Sequence, residues 1–147
     1  MKITICGSIA FIEEMDALRK ELESVGHEVK LPPLEVADGS GKMIPVKEYY
    51  AIRKSAGDDE TWVWEKKAEA MRNHFDKVSW ADAVLICNHD KNGVVGYVGA
   101  NTLLEMGLAF HLKKPIYLLY PIPEVSYKEE ILGMRPIVIN EDLSKIV

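Results

Sequence analysis

The chain has 147 residues, 48% of them hydrophobic and 28% charged, which suits one soluble α/β domain with a continuous core. A net charge of −5 speaks against a binder of nucleic-acid polymers, which carries a basic face, but not against one anionic nucleotide held by loop amides. No apolar run approaches the roughly 20 residues of a membrane span. Met1 leads directly into a strand-like run, with no room for a signal peptide, and the expected setting is the reducing cytoplasm.

Lys2 to Cys6 (KITIC) reads as a short buried strand ending in the turn Gly7-Ser8. From Phe11 to Val25 the residues Ile12, Met15, Leu18, Leu22 and Val25 recur at helical spacing, and Gly26 is the stop signal. His27 to Leu31 alternates as a second strand, closed by Pro32-Pro33. This β-α-β unit predicts a parallel pair with a right-handed crossover. The stretch from 34 to about 61 holds Gly39-Ser40-Gly41, Pro45, Gly57 and Tyr49-Tyr50 with no sustained period. It reads as a long excursion, partly helical around Val46 to Lys54, and its aromatic residues favour a lid over a linker.

The helical pattern returns from Trp62 to Ser79, with Ala68, Met71, Phe75 and Val78 on one stripe. Ala83 to Cys87 is an unbroken apolar run, as a central parallel strand covered on both faces should be. A polar, glycine-containing loop follows from Asn88 to Gly99, then a helix from Thr102 to Leu112 and a strand from Pro115 to Leu119. After Tyr120-Pro121-Ile122-Pro123, a short helix near Lys128 to Leu132 leads to a last strand, Ile137 to Ile139. Strands alternating with helices predict an α/β three-layer sandwich on a five-stranded parallel, flavodoxin/Rossmann-like sheet in the order 2-1-3-4-5. Its ligand crevice lies outside the carboxyl ends of the first and third strands, facing the loops Gly7–Phe11 and Asn88–Asn101. The two cysteines, Cys6 and Cys87, sit in apolar runs without metal-ligand spacing and imply no disulfide.

Several residues of these loops carry chemistry. The turn Cys6-Gly7-Ser8-Ile9 offers backbone amides and a hydroxyl to a phosphate or sugar oxygen, or Ser8 simply caps the helix. Glu105 is a lone acid among Leu103, Leu104, Met106 and Leu108, at a helix start aimed at the crevice. A carboxylate there can attack an anomeric carbon; alternatively, Thr102-Leu103-Leu104-Glu105 is a capping box. His74 is an acid–base candidate or a packing residue. Asn88 and Asp90 either bind sugar hydroxyls or form an Asx turn, and Lys91-Asn92-Gly93 is a turn signal. Trp62, Trp64 and Tyr97 either stack on a base or pack.

Three segments, Ile5-Cys6-Gly7-Ser8-Ile9, Trp80-Ala81-Asp82-Ala83-Val84-Leu85 and Glu105-Met106-Gly107-Leu108-Ala109, resemble the nucleoside 2-deoxyribosyltransferase superfamily, which includes the 2'-deoxynucleoside 5'-monophosphate N-glycosidases. Their order and spacing match from end to end, apart from the excursion. The resemblance implies that Glu105 attacks C1' of a deoxyribose, releasing the base, and that the glycosyl-enzyme passes to water or to a second base. It implies no metal or organic cofactor. The expected site comprises Glu105 and His74 for catalysis, with Cys6, Gly7, Ser8, Ile9, Asn88, Gly99, Asn101 and Tyr97 for the substrate.

Three positions depart from that pattern. Thr4 stands where the family has a tyrosine that orients the nucleophile, with Tyr97, Tyr49 and Tyr50 as stand-ins for the missing phenol. His74 stands at the base-handling aspartate and Gly99 at a phosphate-binding serine, and no arginine follows Gly7-Ser8-Ile9. A noncatalytic nucleotide-binding or sensing protein on the same fold is therefore the alternative. The expected small-molecule partner is a nucleoside, or a nucleotide whose phosphate is held differently, with Lys91, Lys47, Arg53 and Lys54 as possible compensating cations. The resemblance also implies a homodimer through Tyr120–Pro123 and Tyr127–Arg135.

Overall fold

The apolar runs at 2–6, 83–86 and 116–118 become strands, and the periodic stretches 12–24, 61–80 and 100–111 become helices. In the computed structural model, which describes residues 1–147, the elements are β1 (Lys2–Cys6), a 3-10 turn at Ile9–Phe11, α1 (Ile12–Ser24), β2 (Glu28–Lys30), β3 (Glu35–Ala37), β4 (Met43–Pro45), α2 (Val46–Ser55), α3 (Thr61–Trp80), β5 (Ala83–Ile86), α4 (Ala100–His111), β6 (Ile116–Leu118), α5 (Lys128–Gly133) and β7 (Ile137–Val138). The main sheet is parallel throughout, in the order β2-β1-β5-β6-β7. Counted along that sheet, this is the expected order 2-1-3-4-5.

Every residue of β5 is buried, because helices cover both faces of the sheet. On one side Ile3, Ile5, Met15, Leu22, Leu85 and Cys87 share a core cluster. On the other, Cys6, Val84 and Ile86 pack with Val78 of α3 and Met106 of α4. Cys6 and Cys87 are thus neighbours through the backbone, where Cys87 N donates to Cys6 O at 2.8 Å, but their side chains enter opposite layers. Both remain free thiols.

The excursion is more structured than its sequence suggests. β3 and β4 form an antiparallel pair with Val36 opposite Ile44, and Asp38 Oδ1 closes the turn by accepting from the amides of Ser40 and Lys42. Three-residue strands are too short to show a period, which is why the pair is invisible in the sequence. Ile44, Tyr49 and Val63 then make a small core of their own, and Tyr49 Oη donates to Val63 O.

A second difference concerns α4. The helix begins at Ala100 with Gly99 as its N-cap, and Leu103 N donates to Gly99 O at 2.9 Å. Thr102 and Glu105 therefore lie within the helix, and the capping box does not form. No side chain caps this helix end.

The segment Tyr120–Arg135 spends much of its apolar surface on its own fold. Tyr127 Oη donates to Val98 O, Ile131 is fully buried, and Ile122, Val125 and Met134 pack against the α4 side of the sheet. No helix is long and apolar enough to cross a membrane.

Candidate active site

A cleft of about 900 Å³ opens outside the carboxyl ends of β1 and β5. It is walled by Gly7, Ser8 and Ile9 after β1, by Lys91, Tyr97 and Gly99–Asn101 after β5, by α3 and α4, and by α2 of the excursion. Close backbone packing shapes the first of these walls. A Cβ on Gly7 would stand 2.9 Å from Cys87 O, so only glycine lets β1 turn away beside β5.

Glu105 projects from α4 into this cleft with 3% of its surface exposed. Its Oε1 accepts from Asn101 Nδ2 at 2.8 Å, one helical turn earlier, and Asn101 Oδ1 accepts from Lys67 Nζ at 3.3 Å. Lys67 of α3 thus fixes the amide that fixes the carboxylate. The second oxygen, Oε2, has no hydrogen-bond partner and lies 3.6 Å from His74 Nε2. Burial pushes the Glu105 carboxyl up to about 7, with the Cys6 thiol, the Lys67 ammonium, Asn101 and Lys77 only partly opposing it. Burial likewise pushes Lys67 down to about 8, helped by Arg53 and Lys54. His74 is pushed down to about 4 by burial and by the Lys77 charge, so its ring is neutral near pH 7. A neutral imidazole beside the carboxylate is a weak proton donor near pH 7.

Three of the sequence expectations change here. Asn88 is fully buried: its amide nitrogen faces the carbonyls of Gly96, Tyr120 and Pro121, and its Oδ1 accepts from Tyr120 N at 2.9 Å. It braces two loops and has no atom left for a substrate. Cys6 points away from the cleft into the α3–α4 layer, where its thiol lies against Glu105; burial, and then the Glu105 charge, raise it well above the ordinary thiol value. None of the three tyrosines replaces the missing phenol at the nucleophile, since Tyr49 binds Val63 O, Tyr50 binds Lys91, and Tyr97 lies under Lys91. Thr4 is buried and donates to Lys77 O at 2.7 Å, tying β1 to α3.

Gly99 has a steric explanation. A Cβ there would stand 3.0 Å from Tyr97 Oη, so the Tyr97 ring occupies the space in which a serine would offer its hydroxyl. Asn92 and Gly93, both at positive φ (54° and 74°), make a two-residue hairpin turn closed by the paired backbone bonds of Lys91 and Val94. That rigid turn aims Lys91 across the cleft, where Nζ donates to Ser8 Oγ at 2.7 Å and to Tyr50 Oη at 2.6 Å. Ser8 Oγ also accepts from Ala10 N at 3.3 Å, so this hydroxyl both caps its turn and faces the cleft. Burial alone would raise the Tyr50 phenol, but Lys91 and Lys54 outweigh it and hold it below its ordinary value.

The charge of the cleft opposes that of the chain. Lys30, Arg53, Lys54, Lys66, Lys67, Lys77 and Lys91 line it, against Asp76 and Glu105 alone among acids. The Arg53 guanidinium and the Lys54 ammonium each lie 5.0 Å from the Tyr50 ring centre, as does the Lys91 ammonium. Lys47 turns away and pairs with Glu13. Within a chain of net charge −5, a cleft lined in this way concentrates an anion.

Fold and site together define a parallel α/β sandwich with a buried carboxylate and a basic pocket facing each other across the strand ends. No protein-family model matches the chain, and no curated protein does. Among solved structures it is similar to a 2-deoxyribosyltransferase from Bacillus psychrosaccharolyticus, at 18% identity over 80% of this chain and 71% of that one, with a TM-score of 0.46. It is also similar to the Clostridium botulinum CMP N-glycosidase BcmB, at 14% identity over 99% of this chain and 98% of that one, with a TM-score of 0.49. At such identities the likeness is one of fold, and the chemistry rests on the residues of this chain.

Proposed function

We propose that the protein cleaves the N-glycosidic bond of a (deoxy)nucleoside 5'-phosphate, with Glu105 as nucleophile. The single observation that carries this reading is the unpartnered Glu105 Oε2, buried in a cleft whose other wall is cationic. A phosphate entering between Ser8, Tyr50 and Lys91 would accept charge-assisted hydrogen bonds that offset its desolvation. The sugar would then lie between that subsite and Glu105. Oε2 attacks C1', the C1'–N bond breaks with its electron pair leaving on the base, and a glycosyl ester forms. Attack of water or of a second base on the same carbon frees Glu105 again.

Each neighbour has a role in this scheme. Asn101, backed by Lys67, holds Oε1 so that Oε2 faces the sugar, and neutral His74 limits rotation of the carboxylate. The segment from 34 to 61 acts as a lid, since Tyr50, Arg53 and Lys54 on α2 form one side of the phosphate subsite. These cations favour a phosphorylated substrate over the free nucleoside.

The test is base release from a panel of nucleosides and their 5'-monophosphates, followed by chromatography from pH 5 to 9 in metal-free buffer. Attack needs the ionised carboxylate, so the rate should rise with pH through about 7 and then level off. Tight monophosphate binding without release of any base would instead make this a nucleotide-sensing protein. Homodimer formation, implied by the sequence resemblance, belongs to the same proposal. Light scattering at micromolar concentration should give twice the 16.6 kDa chain mass, and a monomer would remove the dimer from it.

A further inference from the structure

The buried side-chain nitrogens and oxygens without a hydrogen-bond partner fall at one place: His74 Nδ1, His74 Nε2 and Glu105 Oε2. Such groups are rare in folded proteins because each costs its full desolvation, so a cluster of them calls for a ligand. A sugar carbon accounts for Oε2 but leaves the imidazole without a partner. Behind both lies the thiol of Cys6, and the ligand atoms of Cys6, His74 and Glu105 all lie within 4.8 Å of one another. The closest pair, His74 Nε2 and Glu105 Oε2, is 3.6 Å apart. Donors at about 2.0–2.3 Å from a tetrahedral zinc ion stand a little over 3 Å from one another, so small side-chain movements suffice.

We propose that Cys6, His74 and Glu105 form a binding site for a divalent ion of the zinc type, and that the bound ion silences the nucleophile. One thiolate, one imidazole and one carboxylate form a mixed set that suits Zn²⁺ and does not suit Mg²⁺ or Ca²⁺, which take oxygen donors. The three residues come from three rigid elements, β1, α3 and α4, that already pack together in one core layer. One outer partner is in place as well, since Asn101 binds the other carboxylate oxygen. His74 and Glu105 line the cleft, which is the route of entry, while Cys6 closes the site from behind. On binding, the thiol proton passes to solvent and the sulfur becomes a thiolate ligand. Metal and substrate then compete for the same Glu105 oxygen.

The experiment titrates Co²⁺, and then Zn²⁺, into the metal-free wild-type protein without substrate. One equivalent of Co²⁺ should produce a thiolate-to-cobalt charge-transfer band in the near ultraviolet, and Zn²⁺ should remove it. Cys6→Ala should lose the band, and His74→Ala should weaken Zn²⁺ binding beyond the roughly 10- to 100-fold that loss of an outer partner costs. Cys87→Ala, whose thiol lies in the opposite layer, should bind as wild type does, and circular dichroism confirms that each variant is folded. Absence of the band in wild type, or its survival in Cys6→Ala, would overturn the proposal. Both readings are taken without substrate, so a failure here leaves glycosidic cleavage untouched, and a failure there leaves the metal site untouched.

Discussion

Glu105→Gln should lower base release by at least about 10³-fold, the scale expected when a covalent nucleophile is removed. The same change should make the protein more stable, not less. In the folded state the Glu105 carboxyl lies near 7, above its ordinary 4.5, because burial disfavours the charged form. The folded chain therefore holds that proton more tightly than the unfolded chain does. Stability contributed by the protonated carboxyl is complete below about 4.5 and is lost as the pH rises through about 7. At roughly 1.4 kcal/mol per pH unit, keeping the carboxylate charged above pH 7 costs on the order of 3 kcal/mol. Glutamine carries no charge, keeps an acceptor for Asn101 and offers an N–H to His74 Nε2.

Calorimetry in metal-free buffer should accordingly show a higher Tm for the variant at pH 8, by roughly 2–4 °C for each kcal/mol recovered. At pH 4, below the ordinary carboxyl value, Glu105 is protonated in both folded and unfolded chains and the two proteins should melt together. Unchanged turnover in the variant would remove Glu105 from the mechanism. An equal Tm at pH 8 would show that the carboxylate is solvated in solution. A carboxylate that costs stability and yet is kept at the cleft wall fits a chemical role better than a structural one.

Lys91→Met should weaken binding of a deoxynucleoside 5'-monophosphate by about 10- to 100-fold, or roughly 1.4–2.7 kcal/mol, while leaving the free nucleoside nearly unaffected. The methionine keeps an unbranched apolar side chain but removes the ammonium that donates to Ser8 and Tyr50 and lies over the Tyr50 and Tyr97 rings. Calorimetry with both ligands at low and moderate salt separates the charge from the packing, because only the charged contribution fades with salt. An equal loss for nucleoside and monophosphate would place the phosphate elsewhere in the cleft. The wild-type protein should prefer the monophosphate, its phosphate held by Lys91 in place of the missing loop arginine.

The sequence by itself determined the frame of this protein. Apolar runs such as Ala83–Cys87 are legible because a strand covered on both faces needs apolar side chains at every position. The order of the main sheet follows from the right-handed crossover, and the crevice follows from that order, so the Gly7–Ile9 turn, His74, Asn101 and Glu105 could be placed beside it in advance. The tertiary structure decided which way individual side chains turn. Cys6 and Cys87 occupy equivalent-looking runs, yet alternation along paired strands sends their thiols into opposite layers. Asn88 resembles a ligand donor until the loops after β5 and β6 close around it, and the apparent capping box dissolves once α4 starts two residues earlier than its polar residues suggest. Lys47 and Lys91 are alike in sequence, but one pairs with Glu13 while a two-residue turn of positive φ carries the other to Ser8. The cluster of Cys6, His74 and Glu105 is likewise invisible along the chain, because its members are far apart in sequence and meet only where β1, α3 and α4 pack. Local periodicity reports which face of an element is buried, whereas register and loop closure set what that face meets.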